Sequence, residues 1–384
     1  MILERSSKNQ PHGLAHSSIW AVGLVFFSPL LGSGQETEEP FLALQKRLVE
    51  VFASNEAAIV RVKATLMVKG KEGKPPKRTL RVGTGFFVSQ EGHVLTSDLV
   101  QGAGRVWVEH NQVFYLSEVV GRDPIANIAL LKVKTKPEKF SFLRVDDIPV
   151  LPRPGTFVVT LSAALEFLPS PGFGIVQGHE SSFGNRMFPV RMLRTSVPTG
   201  PGEVGAPMLD LDGRFIGIVF ASLPDLRSSC ILPASAVLRV RDDLLFSGKA
   251  SYAWFGLTVK SQISVDEGLR VVVDEIIENS PAAGSGILKG DQLLKIGDHQ
   301  VKRRGDVANA SFFARPGQFV NFLVRRDSEE LEIPVRVSGR PVNPPPDSSV
   351  AELESPVPAE GNASANPPAP VPESNDEKPV AEEL

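Results

Sequence analysis

Between residues 82 and 233 the chain runs through short β-branched and aromatic stretches, each closed by a turn signal, and this pattern alone narrows the choice of fold. Gly-Thr-Gly-Phe-Phe-Val-Ser at 83–89, Gly-His-Val-Leu-Thr at 92–96 and Arg-Val-Trp-Val at 105–108 open the series. Residues 119–133 add two more around Asp123-Pro124. Residues 157–161, 174–177, 192–195, 207–211, 215–220 and 230–233 continue it, and 58–62 precede it. Runs this short, at near-regular spacing, read as the strands of a barrel or a sandwich. The 33 glycines and 32 prolines suit many turns rather than long helices. Periodicity goes no further.

The remainder of the chain bounds the answer from outside. At 384 residues there is room for two or three domains, and 42% hydrophobic with 22% charged residues is a globular composition. A net charge of −3 gives no reason to expect nucleic acid or a membrane surface as partner. The single cysteine, Cys230, has no companion for a disulfide or a metal site and reads as a small buried apolar residue; no metal or cofactor is expected. Amphipathic patterns at 41–52 and 234–246 predict helices.

Residues 1–34 read as an export signal: Arg5 and Lys8, an apolar run at 19–31, then Gly32, Ser33 and Gly34 before Gln35. A buried helix and an uncleaved anchor stay open as alternatives, the run being short for a membrane span. A lipoprotein anchor is excluded because no cysteine follows. Residues 35–55 form an N-terminal segment. Residues 69–81, rich in lysine, are expected to be a solvated hairpin tip. Beyond Arg340, proline, glutamate, serine and asparagine dominate residues 341–384, a composition too polar to offset its ordering entropy, so disorder is expected.

Residues 195–219 read Thr-Ser-Val-Pro-Thr-Gly-Pro-Gly-Glu-Val-Gly-Ala-Pro-Met-Leu-Asp-Leu-Asp-Gly-Arg-Phe-Ile-Gly-Ile-Val: a glycine-rich turn, a strand, an Asp-Gly hairpin and a second strand. This resembles the nucleophile loop of the trypsin-like serine proteases of the HtrA (Deg) family, Thr-Asp-x-x-x-x-x-Gly-Asn-Ser-Gly-Gly-Pro-Leu. The resemblance implies a mainly β fold, a chymotrypsin-like pair of six-stranded β-barrels over residues 56–247. The division between barrels falls near 145–154 and the active-site cleft lies between them. Val204 stands at the serine position. The family's Leu-Thr-Asn-Asn-His-Val-Val matches Leu-Thr-Ser-Asp-Leu-Val-Gln at 95–101, placing Leu99 at the histidine. Its Asp-x-x-x-Asp-Ile-Ala-Leu-Leu matches Asp-Pro-Ile-Ala-Asn-Ile-Ala-Leu-Leu at 123–131, placing Asn127 at the aspartate. A triad needs a hydroxyl, an imidazole and a carboxylate in those roles, and none is present at these positions. His93, His110 and His179 are read as surface or structural histidines. The oxyanion-binding turn keeps Gly202 and Gly205. Ala206, replacing a glycine, is expected to hinder it, and Glu203 to repel a developing negative charge.

Residues 252–340 resemble the PDZ domain that follows the protease in that family, after a linker at 248–251. Trp-Phe-Gly-Leu at 254–257 matches the family's Tyr-Leu-Gly-Val loop. Ser-Pro-Ala-Ala-Gly-Ser-Gly-Ile-Leu-Lys-Gly-Asp-Gln-Leu-Leu at 280–294 is the most specific piece; Ile-Gly-Asp at 296–298, a short helix near 306–314 and Arg-Pro-Gly at 315–317 follow. The resemblance implies capture of a peptide C-terminus by strand addition, with Trp254, Phe255, Gly256 and Leu257 as the carboxylate loop and Val307 and Ala310 lining the pocket. Burial of Trp254 and Phe255 in the core is the competing reading.

Two functions stay open at this stage. One is a proteolytically inactive HtrA-like protein of the periplasm or cell envelope. It would bind peptide C-termini or unfolded proteins, or regulate an active HtrA-family protease by joining its oligomer, trimers being common in the family. The other is a serine endopeptidase using a different constellation. Labelling by a serine-directed fluorophosphonate separates them. A purely structural envelope protein is the third option, favoured only if the PDZ groove is closed.

Overall fold

A computed structural model describes residues 40–68, 77–146, 150–184, 186–264 and 268–340. The expected export signal, the expected disordered tail and the 69–76 hairpin tip lie outside the described residues. Among the described residues no helix is long and apolar enough to cross a membrane.

The first barrel is built from β1 (Ile59–Val68), β2 (Lys77–Phe87), β3 (His93–Thr96), β4 (Ala103–His110), β5 (Val113–Asp123) and β6 (Ile128–Val133). Its order is β1-β2-β3-β6-β5-β4, and β1 closes it by pairing with both β2 and β4. Alternate residues of β1 (Val60, Val62, Ala64 and Leu66) meet Val106, Val108, Ala129 and Leu131 in a cluster drawn from this barrel alone. The period of two puts one side chain in every pair on that face.

The second barrel comprises β7 (Phe157–Ser162), β8 (Ser170–Phe183), β9 (Arg186–Thr195), β10 (Pro207–Leu209), β11 (Phe215–Leu223) and β12 (Ser228–Pro233), closed in the order β10-β11-β12-β9-β8-β7. Val158, Val176, Leu193, Met208, Val219 and Ile231 form its own cluster. A third cluster joins the two barrels: Ile59, Phe86 and Leu130 from the first, Val159, Leu161 and Leu232 from the second. It also takes in Val51 of α1 (Pro40–Asn55) and Val237, Val240 and Leu244 of α2 (Ala234–Ser247). Each such aliphatic side chain contributes about 1.5–3 kcal/mol on full burial, so the barrels are cemented as firmly as each is filled.

Among the boundaries that differ from expectation, two lie in the barrel hairpins. Residues 77–81 are strand, not loop: Lys77 to Arg81 pair with Val68 to Ala64, so the hairpin ladder runs past the barrel rim although Lys77 to Leu80 are exposed. The strand expected at 207–211 stops at Leu209, because the Asp210 carboxylate accepts the N–H groups of Asp212 and Arg214 and turns the chain.

The C-terminal unit is a sheet of β14 (Leu257–Ser264), β15 (Gly268–Ile276), β16 (Gln292–Ile296), β18 (Phe319–Arg326) and β19 (Glu329–Arg336) in that order. β17 (His299–Gln300) pairs with β16, and β13 (Ala253–Trp254) pairs with β20 (Ser338–Gly339). Helix α3 (Arg304–Phe313) starts earlier than expected because the Asp306 carboxylate accepts the N–H groups of Lys302 and Arg303, both at 2.8 Å. Phe255, Val273, Leu293, Phe322 and Val335 belong to its own core.

This unit is docked on the barrels through α3. A Cβ on Gly305 would lie 2.3 Å from the Ser181 Cβ of β8, so helix and strand approach as only glycine permits. Asp306 pairs with Arg191 of β9, whose backbone N–H donates to the Asn309 side chain at 3.0 Å. The Asp243 carboxylate of α2 binds both Arg239 and Arg315.

Candidate functional site

The turn at 200–205 is pressed against the first barrel. Gly202 (φ +85°) and Gly205 (φ +94°) supply the left-handed backbone it needs. A Cβ on Gly205 would sit 2.4 Å from the Thr84 carbonyl oxygen and 2.6 Å from the Ser97 nitrogen. The Gly205 N–H donates to the Val219 carbonyl, and the Ala206 N–H closes the turn on the Glu203 carbonyl. Thr84 Oγ1 donates to the Gly202 carbonyl at 2.8 Å and accepts the Ala163 N–H at 3.1 Å.

The three residues matched by motif to the family's triad lie near one another. Leu99 Cδ2 lies 2.3 Å from where a Cβ on Gly83 would be, and the Val204 carbonyl oxygen lies 3.4 Å from the same point. Leu99 packs on the first barrel's core, Val204 on the second's. Asn127 (φ +51°) sits on the β5–β6 turn; its Oδ1 accepts the N–H of Asp98, the neighbour of Leu99, and its Nδ2 donates to the Phe220 carbonyl. The nearby Asp98 carboxylate is held by Arg122, whose Nε donates at 2.7 Å.

Within this loop the Glu203 carboxylate accepts the Ser162 hydroxyl at 2.6 Å and the Gly200 N–H and so braces the turn. Ala206 is fully buried in the second barrel's core, and its N–H completes the turn. The methyl is accommodated rather than disruptive.

His93, His110 and His179 each have a local partner. His110 Nε2 contacts the Ala57 carbonyl at 3.0 Å and His179 Nε2 the Pro152 carbonyl at 2.8 Å. His93 Nδ1 lies 2.8 Å from Ser89 Oγ, and the backbone N–H of His93 also reaches that oxygen at 3.4 Å. Burial, with Lys132 adding to it, holds the His93 imidazole below its ordinary pKa. A triad places the carboxylate on Nδ1 and the hydroxyl on Nε2. Here a hydroxyl occupies Nδ1, so Ser89 and His93 clasp the turn between β2 and β3.

The second site lies between β14 and α3. β14 is an edge strand, bonded only to β15. At the loop before it, the Phe255 carbonyl accepts the Ala282 N–H, and the Gly256 carbonyl accepts the Ile277 N–H and the Ser280 hydroxyl. In a trans peptide the N–H points opposite to the C=O, so the Gly256 and Leu257 N–H groups face the open edge. Gly256 (φ +75°) admits no side chain, since a Cβ there would lie 2.0 Å from the Ser280 Cβ.

A cavity of about 160 Å³ runs beside this loop. Trp254, Leu257 and Val307 line it, and the second barrel's Phe188 and Pro189 and the first barrel's Ile125 wall it too. Phe255 borders the cavity and is buried, packed edge-on against Phe322 at 5.0 Å, so the groove and core readings both apply to it. Ala310 is a correction: it is buried in the core of this unit, and Ala308 and Ser311 take the lining positions on α3.

Tyr252, at the cavity's base, donates its hydroxyl to the Asp123 carboxylate, which also accepts the N–H groups of Ile125 and Ala126. Burial raises the Asp123 pKa above the ordinary carboxylate value despite those hydrogen bonds. No sequence signal marks this wall, because it is assembled from segments far apart in the chain.

Comparison with known proteins follows the same division. A trypsin-like peptidase domain model matches residues 83–218 and a PDZ domain model matches 248–337. The probable periplasmic serine endoprotease DegP-like of Marinomonas sp. (strain MWYL1) is 27% identical over 292 residues, covering 70% of this chain and 60% of the relative. The protein of the same name from Pseudomonas fulva (strain 12-X) is 26% identical over 282 residues, covering 68% and 57%. The chain thus spans about 60% of the length of the curated relatives it matches. Among solved structures, the HtrA-type protease AlgW with decapeptide superposes with a TM-score of 0.61 at 22% identity, over 77% of this chain and 99% of that one. Domain order, relatives and fold agree: the chain has a trypsin-like peptidase fold followed by a PDZ fold, the arrangement of the HtrA-type protease structures it resembles.

Proposed function

We propose that this protein is a proteolytically inactive HtrA-like protein of the cell envelope that binds peptide C-termini, or unfolded proteins presenting them, through its PDZ groove. The reading is carried by the constellation of Val204, Leu99 and Asn127, which together offer no nucleophile, no base and no carboxylate. Removal of residues 1–34 on export, a PDZ domain spanning 252–340 and regulation of an active relative through a shared oligomer, a trimer by family habit, belong to the same proposal. The names of the curated relatives, periplasmic serine endoproteases, support the envelope location.

Binding follows from the groove's chemistry. A ligand strand adds to the free edge of β14, its terminal carboxylate meeting the Gly256 and Leu257 N–H groups and its last side chain entering the apolar cavity. The solved AlgW structures hold a decapeptide or a tripeptide, which favours peptide as the ligand class.

The test has two arms. Purified protein should neither take up a fluorophosphonate probe nor degrade casein. It should bind peptides with free apolar C-termini and lose them on amidation. Casein cleavage would overturn the inactive reading in favour of an endopeptidase with another constellation, and equal binding of amidated and free-acid peptides would remove the carboxylate pocket.

A further inference from the structure

We propose that the groove is selective for C-terminal peptides carrying an acidic side chain two or four positions before the terminal residue, read by Arg304. This rests on the peptide-binding reading above and specifies its ligand.

The charged side chains lining the cavity are Arg304 and Arg340, and no aspartate or glutamate lines it. Arg304 opens α3 and is half-buried, and its Nε is enclosed without a hydrogen-bond partner. The neighbouring acids are taken. Asp306 is bound by Arg191 and the N–H groups of Lys302 and Arg303. Asp274, close enough to feel the Arg304 charge, is held by Lys260 at 2.7 Å. A guanidinium whose Nε is enclosed beside an apolar cavity, and which no described carboxylate pairs at salt-bridge distance, is matched by a ligand that brings one, and Arg is the side chain best suited to grip a carboxylate.

The register follows from helix and strand dimensions. Ser311 marks the loop end of the groove, since its hydroxyl donates to the Ala253 carbonyl. Arg304 is seven residues back along α3, about 10 Å at ~1.5 Å per residue. A ligand strand rises ~3.3 Å per residue, so Arg304 stands level with a position about three residues before the end. Side chains on one face recur every second residue, so those sharing the terminal side chain's face are two and four back. Both fall within reach of the long arginine side chain. Arg340, exposed beside Ala253 at the other end, adds positive charge where the terminal carboxylate arrives.

Three fluorescein-labelled peptides test this on the full-length protein by anisotropy. One ends Ala-Glu-Ala-Glu-Ala-Leu, the second has Gln for both Glu, and the third ends Ala-Ala-Glu-Ala-Glu-Leu, the same charge in the wrong register. The first is expected to bind about five- to tenfold tighter than either other peptide at low salt, a margin that shrinks as salt rises. Arg304→Gln should erase the margin while the Gln peptide still binds, and Arg304→Lys should keep part of it. Equal affinities for all three peptides, or a margin that survives in Arg304→Gln, would overturn the selectivity and leave the groove reading intact. Failure of every free-acid peptide to bind would remove both.

Discussion

The side-chain carbonyl of Asn127 accepts the Asp98 N–H at 3.1 Å while its amide donates to the Phe220 carbonyl at 2.8 Å. One residue thereby ties the β5–β6 turn, the segment carrying Leu99 and the second barrel. Only a side chain with both a donor and an acceptor does this. An aspartate keeps the first bond but sets its negative charge against the Phe220 oxygen. Asn127→Asp is therefore expected to destabilise the protein by about 1–3 kcal/mol, read by urea titration. Equal stability of the two proteins would show that this bridge carries no energy.

Gly205 gives a second, independent handle on the same region. Any Cβ there meets backbone atoms of Thr84 and Ser97, not a flexible side-chain tip, and φ is +94°. Gly205→Ala should cost at least about 2 kcal/mol. At Gly83 the nearest atom is the Leu99 Cδ2, which can swing aside, so Gly83→Ala should cost less. Reversal of that order in denaturant titrations would mean that the turn is not seated on the first barrel as described.

Asp123 and Asp306 predict opposite pH behaviour. Burial raises the Asp123 pKa, so the folded state binds its proton more tightly than the unfolded chain does. Its contribution is full below the unfolded value, ~3.9, and is lost as pH rises through the raised one. At Asp306 burial opposes ionisation, but the N–H groups of Lys302 and Arg303 and the Arg191 guanidinium outweigh it and hold the pKa low. That contribution is present above the unfolded value and lost as pH falls. Between pH 4 and 6, on the order of the carboxylate range, Asp123→Asn should make stability rise more steeply with pH than in the parent. Asp306→Asn should flatten the fall in acid. Identical profiles for the three proteins would contradict both assignments.

Cys230 is buried, and burial with the Glu180 charge raises its thiol pKa to about 11. The folded protein should not react with a thiol reagent at pH 8 on a timescale of minutes, and should react at once in denaturant, because the thiolate is the nucleophile.

Much of the fold is legible in the sequence. The barrel strands announce themselves because β-branched residues alternate toward closed cores, as along Val60, Val62 and Ala64. The start of β5 was missed because Val113, Phe114 and Leu116 are consecutive or near-consecutive apolar residues, all exposed, with no alternation to read. Motif spacing located Leu99, Asn127 and Val204, but not what Glu203 and Ala206 do, since the Ser162 hydroxyl and the second barrel's core reach them from distant strands. The cavity wall was the least legible. Ile125 and Phe188 are joined to Trp254 only by the docking of α3 against β9, and the signal for that docking is a single small residue, Gly305.

The hardest test is repair of the cleft. Val204→Ser alone should give no proteolysis, because a serine hydroxyl without a neighbouring base remains a weak nucleophile. Adding Leu99→His supplies an imidazole where a leucine now packs over Gly83, but Asn127 would hold it in the wrong tautomer, a loss of about ten-thousand-fold. Completing the set with Asn127→Asp breaks the bridge to Phe220 that positions this turn. The oxyanion side resists as well. The Glu203 carboxylate, carried between Gly202 and Val204, the two residues whose N–H groups would serve as donors, braces the turn through Ser162 and Gly200. Losing one oxyanion donor alone costs on the order of 3 kcal/mol in the transition state. Glu203→Asn removes the negative charge but also loosens the brace, so the further change should lower stability before it raises rate. The triple variant is thus expected to leave casein intact over hours, with or without Glu203→Asn. Cleavage by the triple variant at the rate of a working protease would mean that the turn already presents its N–H groups to a substrate, and the account of this cleft would fall.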